Sequence, residues 1–448
     1  MALTAIQIYQ LLPKTNCGDC GVPTCLAFAM KVAQKQAAID ECPHVSDEAK
    51  AALGAAAAPP MATITIGTGD RALTLGGETV LFRHEETFYH PTGFAVRLRA
   101  SLGPDEIARK AREISDLVFD RVGQAHRVDL VAVEDTGDAA AFVQAVDAAA
   151  ANTDMPLMLI TSNPSAADAA AEKLEGKKPL LYAAEASNFD EMVSVAKNRG
   201  CVLTVKANGD VAELVQLSEK AKELGLQELT LDSGARDPST ILQHQTIIRR
   251  ACLKQKVRSL GYPTVVMPTG EGEEIDLLWN IGWICKYAGI VVFDTVAPEI
   301  LLPAITARLN IYTDPQKPIQ IGAGLYQVGE PDETSPVLVT TNFSLTYYTV
   351  EGEVSASKVP AWIVVVDTEG TSVLTAWAAD KFTPETIAKT VKECGVEEKV
   401  SHRKLVIPGG VAVLKGKLED ELGWDVMVGP REATGIPKFL KTEWASAA

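Results

Sequence analysis

The sequence predicts an α/β protein in three parts: a small α-helical domain, a central (β/α)8 TIM barrel and a C-terminal Rossmann-like α/β domain. Three observations lead to this prediction. Four of the eight cysteines fall within residues 17–42, eight apolar runs alternate with helical stretches across residues 93–325, and a shorter alternation follows. At 448 residues the chain is too long for one hydrophobic core, so several domains are expected.

The first part is organised by four cysteines with the spacing C-x2-C-x4-C-x16-C, namely Cys17, Cys20, Cys25 and Cys42. Three cysteines close together in sequence, followed by a fourth farther on, are typical of the ligands of a cubane iron–sulfur cluster, whereas structural zinc prefers two separated pairs of cysteines. Zinc and a disulfide are the alternatives. A disulfide needs an oxidising compartment, and residues 1–10 lack the features of a signal peptide. We therefore predict a 4Fe–4S cluster at these four cysteines.

Domain boundaries follow from a change in composition. Small residues and two prolines at 54–60 cannot pack a core, so they predict a linker. We place the cluster domain at residues 1–57, with helices at 4–12, 26–39 and 47–53. Residues 58–92 are expected to hold the linker and a β-hairpin entry with strands at 63–66 and 79–82.

The barrel is predicted at residues 93–325 from eight apolar runs at 94–98, 128–133, 156–160, 180–183, 202–206, 228–231, 264–267 and 290–293. Helical patterns between them include 104–122, 138–152, 190–199, 211–225 and 239–260. Residues 319–325 are expected to close the barrel. Eight strands with intervening helices fit a (β/α)8 barrel, and an open doubly wound sheet is the competing arrangement.

The carboxyl ends of the barrel strands are polar, at residues 134–136, 161–163, 184–185, 206–209, 232–234, 268–270 and 294–295. One interpretation is a face that binds a pterin or another substrate, because barrel active sites lie at this end. The other is that strand-to-helix turns collect Asp, Asn, Ser and Gly as helix caps. We expect caps, and a barrel that serves as a scaffold.

The third domain is predicted at residues 326–448, with strands at 337–340, 361–366, 404–407 and 424–428 and helices at 372–379, 384–394 and 411–422. After its second strand the chain passes through Gly370 into a helix that begins with Thr371 and Ser372, an arrangement that suits a phosphate or another polar tail. Loops at 340–348, 407–410 and 428–435 follow other strands, so together they could seat one large flat ligand. The alternative is that all of them are ordinary turns, and no G-x-G-x-x-G or P-loop motif accompanies them.

The net charge of −16 and the pI near 5.0 argue against nucleic acid as a partner, because phosphate neutralisation needs clustered Lys and Arg. The most apolar stretch, residues 275–293, is interrupted by charged residues and glycines, and no run reaches the roughly 18 residues needed to cross a bilayer. We therefore expect a cytoplasmic protein that does not contact a membrane.

Four segments resemble one known family. The stretches IYQLLPKTNCGDCGVPTCLAFAMKVA, CPHVSDEAKAAL, NFSLTYYTVEGE and DTEGTSVLTAW are similar to the large subunits of corrinoid/iron–sulfur proteins, the methyl carriers of the anaerobic acetyl-CoA (Wood–Ljungdahl) pathway. Related four-cysteine domains also occur in membrane electron-transfer subunits and some hydrogenases, so the cysteines alone identify only a type of cluster. The likeness of the later segments extends the resemblance along the whole chain.

The resemblance implies a cobamide held by the C-terminal domain against a small subunit, in a heterodimer. Its cobalt would take a methyl group from methyltetrahydrofolate through a separate methyltransferase and pass it to acetyl-CoA synthase/CO dehydrogenase. The cluster would return oxidised Co(II) to Co(I), so the chain would be a carrier component and not a stand-alone enzyme. By position, the expected corrinoid contacts are Thr340, Thr346, Gly370, Thr371, Ser372, Val373 and Ala433.

The D-x-H-x-x-G motif, whose histidine coordinates cobalt in methionine-synthase-like domains, is absent from this sequence. Five of the six histidines lie outside the candidate loops of the C-terminal domain, and only His402 could lie near one of them. A base-off cobamide without a protein histidine ligand is therefore expected. Two rival functions stay open. One is an iron–sulfur electron-transfer module for a partner oxidoreductase, with a flavin or nothing in the C-terminal domain. The other is a folate-dependent methyltransferase that uses the barrel itself.

Overall fold

The computed structural model of this chain describes residues 5–33, 37–46, 49–50, 59–121, 123–314 and 318–447. The chain folds into two compact units. One unit falls within residues 1–81, 92–109 and 129–294, and the other within residues 82–91, 110–128 and 295–448. No helix of the described residues is long and apolar enough to span a membrane.

The cysteine-rich segment folds around two short helices, α1 (Ala5–Leu11) and α2 (Cys25–Ala33), followed by a 3-10 turn at Ile39–Glu41. Ile8, Phe28 and Val45 are buried in a common cluster, which fixes the helices against the returning chain. The first two predicted helices are confirmed, but the second does not reach residue 39 as expected, because residues 37 and 38 are not helical and Ala38 is extended. The helix predicted at 47–53 lies outside the described residues except for residues 49 and 50.

Twelve strands lie among the described residues between 59 and 294. In chain order they are β1 (Thr63–Ile66), β2 (Leu73–Gly76), β3 (Gly93–Arg99), β4 (Val118–Arg121), β5 (Gln124–Arg127), β6 (Leu130–Glu134), β7 (Leu157–Ile160), β8 (Leu180–Ala184), β9 (Val202–Lys206), β10 (Leu229–Asp232), β11 (Val265–Val266) and β12 (Ile290–Phe293). The hairpin β1–β2 is antiparallel. The strand expected at 79–82 was wrong, because Gly76 and Gly77 both have positive φ and end the hairpin before residue 79.

Eight of these strands are parallel, in the order β10-β9-β8-β7-β6-β3-β12-β11. Leu231 bridges Thr264, and the amide of Leu231 donates to the carbonyl of Pro263 at 2.9 Å, which joins the two ends of the sheet. All eight predicted barrel strands are confirmed. The closure excludes the open doubly wound sheet, in which the outer strands would be unpaired edges.

A helix follows each barrel strand in the chain: α3 (Pro104–Asp116), α4 (Ala139–Asn152), α5 (Pro164–Glu172), α6 (Phe189–Arg199), α7 (Val211–Glu223), α8 (Pro238–Leu253), α9 (Glu273–Cys285) and α10 (Pro298–Tyr312). Asp138, Asn163, Asp210 and Asp237 cap four of these helices by accepting backbone amide hydrogen bonds. The first helix was expected to reach residue 122, but it ends at Asp116. Residues 118–127 form the hairpin β4–β5 instead.

The C-terminal sheet contains β13 (Gly324–Val328), β14 (Val337–Thr341), β15 (Ala361–Val366), β16 (Lys404–Ile407) and β17 (Asp425–Val428), in the order β13-β15-β14-β16-β17. The four predicted strands are confirmed and pair in parallel. The fifth strand, β13, was not predicted: it pairs antiparallel with β15. Residues 324–328 therefore belong to this sheet and do not close the barrel, and the predicted boundary at residue 325 falls inside β13.

Helices cover both faces of this sheet, namely α11 (Ser344–Ser357), α12 (Val373–Ala378), α13 (Pro384–Glu393), α14 (Lys415–Leu422) and α15 (Ile436–Phe439), with a final short helix α16 (Ala445–Ala447). Along β14, Val337 and Val339 join one buried cluster with Ile387 of α13, whereas Leu338 joins the other with Val354 of α11. Because both faces are buried, the strands are almost continuously apolar. This arrangement of helices on both faces of a mostly parallel sheet confirms the predicted α/β class of the domain.

We expect Gly234→Ala to destabilise the barrel more than Gly137→Ala. Both glycines have positive φ, +77° and +99°, so both substitutions carry the backbone strain of an L-residue there. Only at Gly234 would the new methyl group overlap the carbonyl oxygen of Ala207, whereas Gly137 faces open space. The extra cost should be about 1–3 kcal/mol, measured as a lower midpoint of thermal unfolding. Equal midpoints for the two variants would contradict the packing of this turn.

Candidate functional site

The loop that carries the first three cysteines is bent at two glycines. Gly18 and Gly21 have φ of +83° and +74°, and the amide of Gly21 donates to the carbonyl of Gly18 at 2.9 Å. The side-chain oxygen of Asn16 accepts a hydrogen bond from the amide of Cys25 at 2.8 Å, which fixes the start of α2 against the start of the loop. Local sequence therefore folds this segment back on itself around the cysteines.

The four cysteines differ in exposure. Cys25 and Cys42 are buried in the same apolar cluster, Cys20 is half-buried against it, and Cys17 is exposed. None of the eight cysteines of the chain, all of which are described, forms a disulfide. Four free thiols within residues 17–42, some buried and some open to solvent, are a donor set that suits thiolate ligation of iron.

A second contact joins the two ends of this segment. The Nε2 atom of His44 lies 2.6 Å from Oδ2 of Asp19, and the ligand atoms of Cys17, Asp19 and His44 lie within 4.8 Å of one another. Hydrogen bonds from His44 and then from Cys17 hold the pKa of the Asp19 carboxyl below its usual value. The pair connects the turn after Cys42 to the first cysteine loop.

The C-terminal domain contains a cavity of about 180 Å³ at the carboxyl ends of its strands. β14 pairs with β15 along all five of its residues but with β16 only at Leu338 and Val406, so these two neighbouring strands diverge. The strands that follow β14 in the chain lie on opposite sides of it, β15 on one side and β16 on the other, so the strand order reverses between β14 and β16. Open α/β sheets bind ligands at such a topological switch point. Besides strand residues, the lining includes Val350, Leu374, Pro408, Gly410, Pro430 and Arg431.

Four of the seven predicted corrinoid contacts line this cavity, namely Thr340, Thr346, Val373 and Ala433. Gly370, Thr371 and Ser372 lie in the turn that precedes Val373 and do not line it. Their hydroxyls are used locally: Thr371 Oγ1 donates to the carbonyl of Thr368 at 2.7 Å, and Ser372 Oγ lies 3.0 Å from Thr375 Oγ1. The structure therefore brings the predicted residues together in part.

Three buried hydroxyls at this edge have no hydrogen-bond partner among the described residues. They belong to Thr340, Thr341 and Ser344, which are 1%, 0% and 1% exposed. Leaving a buried hydroxyl unpaired costs free energy, so such groups are normally satisfied by protein, water or ligand. Four exposed apolar side chains lie on the elements that line the cavity: Leu345, Leu374, Trp377 and Val413. Apolar walls with unpaired hydroxyls at one side fit a ligand with a flat apolar body and a polar edge.

Leu374, Pro408 and Gly410 also line the cavity, but the sequence pattern did not predict them as individual contacts. The general rule that parallel strands share a carboxyl edge indicated the loops but not which side chains face the cavity. That choice depends on where β14 and β16 separate, and no local pattern encodes the separation.

The polar ends of the barrel strands pair mainly with one another. Arg97 binds Asp294 through two nitrogens at 2.7 and 2.8 Å. Tyr182 donates to Asp232 at 2.5 Å, and Arg236 binds the same carboxylate at 3.0 Å. Burial, and then the charge of Asp232, raise the pKa of Tyr182 well above its usual value, so the phenol stays protonated.

The expectation that these strand ends serve as helix caps holds at Asn163 but is wrong for most of the others. Asp135 accepts from Thr161 at 2.8 Å, and Glu185 pairs with Lys206 at 2.7 Å. Most of the described carboxylates at this end of the barrel therefore already have a partner within the chain.

The four remaining cysteines differ in exposure. Cys201 and Cys252 are buried, and burial raises the pKa of their thiols to about 12 and about 11. Cys394 is half-buried, and Cys285 is exposed. Cys285 ends α9, where the helix turns its last residue to solvent.

These features define a class of protein: a multidomain α/β iron–sulfur protein with a closed barrel and a second ligand cavity in a three-layer domain. A family model for an Fe–S cluster matches residues 12–44, and another, described as CO dehydrogenase/acetyl-CoA synthase delta subunit, matches residues 63–440. The chain belongs to this second family.

The chain is similar to several known proteins over almost its whole length. The corrinoid/iron–sulfur protein large subunit of Moorella thermoacetica is 46% identical and covers 100% of both chains. The acetyl-CoA decarbonylase/synthase complex subunit gamma of Methanopyrus kandleri is 38% identical over 98% of both. The same subunit of Methanothermobacter thermautotrophicus is 36% identical over 98% of this chain and 99% of its own length. The resemblance seen in the sequence is thereby confirmed.

Among solved structures, a 7,8-dihydropteroate synthase of Vibrio fischeri covers 50% of this chain and 95% of its own, with 11% identity and a TM-score of 0.40. A likeness of this size carries no argument about function. The assignment of the barrel depends on the strand order and closure within this chain.

The cysteines outside the cluster loop should differ in their rates of alkylation. In the native chain at about pH 8 we expect iodoacetamide to modify Cys285 but not Cys201 or Cys252, because the reagent needs an accessible thiolate. Peptide mass spectrometry after timed labelling would measure this, and labelling of the denatured chain provides the control. Labelling of Cys201 as fast as Cys285 would show that the α6–β9 junction is open.

Proposed function

We propose that this chain is the corrinoid-carrying large subunit of a methyl-transfer system of the acetyl-CoA pathway. One observation carries the proposal: unpaired buried hydroxyls of Thr340, Thr341 and Ser344 lie at or beside an apolar cavity, at a topological switch point. The 46% identity to a corrinoid/iron–sulfur protein large subunit over the whole chain supports it. A cobamide would supply a methyl-accepting cobalt, and a 4Fe–4S cluster would supply the single electrons that keep that cobalt reduced.

The residues of the cavity would divide the binding task. The hydroxyls of Thr340 and Thr346, which line the cavity, would hydrogen-bond the amide groups on the edge of a corrin ring. Val373, Leu374 and Ala433 would contact its apolar body and exclude water. No side chain caps the start of α11, and the amide of Ser344 already donates to the carbonyl of Ile319, so only the amides after Ser344 would add donors at the same edge.

We propose that the cobamide is bound base-off, without a histidine ligand from this chain. All six histidines are described and none of them lines the cavity. His402, the nearest in sequence to a candidate loop, precedes β16 at its amino end. Its Nε2 atom lies 2.9 Å from the carbonyl oxygen of Ser335, and its ring packs edge-on against Trp444. A cobalt without a nitrogen ligand below it is easier to reduce, which suits a carrier that must be returned to Co(I).

The size of the cavity supports a partner that covers the cofactor. Pockets that enclose a whole ligand measure roughly 300–1,000 Å³, so a cavity of about 180 Å³ holds only part of a corrinoid. Exposed Leu345, Trp377 and Val413 would also need cover. We propose that the small subunit of a heterodimer supplies it. A methyltetrahydrofolate methyltransferase and acetyl-CoA synthase/CO dehydrogenase would then act as methyl donor and acceptor.

We propose that Cys17, Cys20, Cys25 and Cys42 ligate the cluster. The exposed position of Cys17 would leave one side of the cluster accessible to an electron donor, while Cys25 and Cys42 anchor the other side in the apolar cluster. The match of residues 12–44 to an Fe–S cluster model supports iron over zinc at these thiols.

The rival functions are less well supported. A folate-dependent methyltransferase would need free polar groups at the barrel mouth, but the carboxylates of Glu185, Asp232 and Asp294 are already paired. An electron-transfer module with a flavin would give flavin absorption bands in place of corrinoid bands. A visible spectrum of the anaerobically purified complex therefore separates these functions.

Cys20→Ala should separate electron supply from methyl transfer. We expect loss of the cluster iron and of reductive reactivation, because one thiolate ligand is removed. Methyl transfer by protein that has been chemically reduced beforehand should remain largely intact. Cys394→Ala is the control, since Cys394 lies outside the cluster loop and this variant should keep its iron. Equal loss of both activities in Cys20→Ala would contradict the proposed division of tasks.

Gly370→Val should weaken corrinoid retention without changing the iron content. Gly370 has φ +73°, and a Cβ there would lie 2.6 Å from Cγ of Gln320. Gly395→Val is the matched control, because Gly395 has φ +72° in the same domain but faces open space. We expect roughly ten-fold faster cobalt loss for Gly370→Val, corresponding to about 1.4 kcal/mol. If both variants retain the corrinoid equally, the turn does not help to hold it.

A further inference from the structure

The residue after β14, Asn342, uses its side chain as the centre of a hydrogen-bond network. Its Oδ1 atom accepts from the amide of Thr368 at 3.0 Å, from the hydroxyl of Thr368 at 3.1 Å and from the amide of Gly370 at 2.9 Å. Its Nδ2 atom donates to Gln320 at 3.1 Å and to Asp367 at 2.9 Å. Asn342 is 2% exposed, so its side chain makes these hydrogen bonds shielded from water.

This network joins two segments that are distant in sequence. One is the turn at residues 367–371, between β15 and α12. The other is the segment at 319–321 that leads into the domain, which also pairs with the backbone: the amide of Ile321 donates to the carbonyl of Asn342, and that of Ser344 donates to the carbonyl of Ile319, both at 3.0 Å. A single side chain therefore fixes the position of the turn relative to the end of β14.

The position of the turn decides where one wall of the cavity lies. Val373 and Leu374 begin α12 directly after this turn and line the cavity, while Thr340 and Thr346 flank Asn342 in sequence and line it from β14 and α11. Pro408 and Pro430 also line the cavity, and a Cβ at Gly410 would lie 3.1 Å from Cδ2 of Leu374, so the segment after β16 lies next to α12. The hydrogen bonds of the Asn342 side chain go to other segments, and Asn342 thus connects β14, α11 and α12, three of the elements that line the cavity.

We propose that Asn342 is a positioning residue, which does not itself line the cavity but holds Val373 and Leu374 at the distance from Thr340 that a bound corrinoid requires. This inference rests on the proposed function. Removing the side chain would leave the buried amides of Thr368 and Gly370 without an acceptor, and a turn without its acceptor relaxes to recover those hydrogen bonds. The wall would then move, although every residue of the cavity is unchanged.

The test compares Asn342→Ala with Thr383→Ala in the full chain, purified anaerobically with its companion subunit. Thr383 caps α13 of the same domain by accepting from the amide of Thr386, and the hydrogen bonds of the Asn342 side chain do not reach it, so its loss lowers stability without removing the acceptor of the turn. The measurement is the first-order loss of cobalt from the complex after dilution, with the thermal midpoint recorded in parallel. We expect loss at least on the order of ten-fold faster for Asn342→Ala than for Thr383→Ala, equivalent to about 1.4 kcal/mol.

An exchange of side chains provides a second test that does not depend on the alanine variant folding. Asn342→Asp keeps an acceptor for the turn but sets a second carboxylate against Asp367 and loses the donor. Adding Asp367→Asn restores one donor and one acceptor across the same contact, so we expect it to slow the cobalt loss again. A general loss of stability would not be rescued in this way.

The outcomes distinguish a failure of the proposed function from a failure of the role of Asn342. If the unmodified complex contains no cobalt, the proposed function fails. If it contains cobalt, and Asn342→Ala loses it no faster than Thr383→Ala, the role of Asn342 is overturned while the proposed function stands. Failure of Asp367→Asn to slow the loss in Asn342→Asp would overturn that role as well.

Discussion

The separation of β14 from β16 is the constraint on which the C-terminal domain depends. Parallel strands normally satisfy each other's backbone groups along their length, but these two share one residue pair, Leu338 and Val406. Beside this divergence lie the buried hydroxyls of Thr340, Thr341 and Ser344, which have no hydrogen-bond partner among the described residues. Unpaired groups of this kind are costly in the free domain, and the proposed corrinoid would supply partners for them.

In the proposed function, the two candidate sites would hold their cofactors by different physical means. The cysteine loop would depend on ligation by thiolates, and its backbone is shaped by two glycines and the Asn16 contact to Cys25. The cavity has no strong ligand to offer, so it must bind by shape, by apolar contact and by hydrogen bonds at one edge. Loss of one thiolate should therefore be decisive for the cluster, whereas the cavity responds gradually to the position of its walls. That difference is why a residue such as Asn342, outside the lining, can matter.

The sequence predicts the structure correctly where a pattern among residues close together in the chain determines it. Cysteine spacing, continuous apolar strands and their regular alternation with helices depend on neighbours in the chain, and the eight barrel strands and four C-terminal strands follow from them. The antiparallel strand at 324–328 could not be predicted, because only its pairing with β15 makes it a strand. The pairing of Tyr182, Asp232 and Arg236 depends on the closure of the barrel, which places separate strand ends side by side. The same applies to Asn342, whose side-chain partners are distant in sequence and come from two separate segments.

The most direct test of the corrinoid site is the metal content of the native chain. The chain and its companion subunit would be purified without oxygen, and iron, acid-labile sulfide and cobalt would be measured in the same sample. We expect about four irons with matching sulfide, and about one cobalt, for each copy of this chain. A preparation with its full complement of iron and an intact partner but no cobalt would contradict the proposal that the divergent strands of the C-terminal sheet hold a corrinoid.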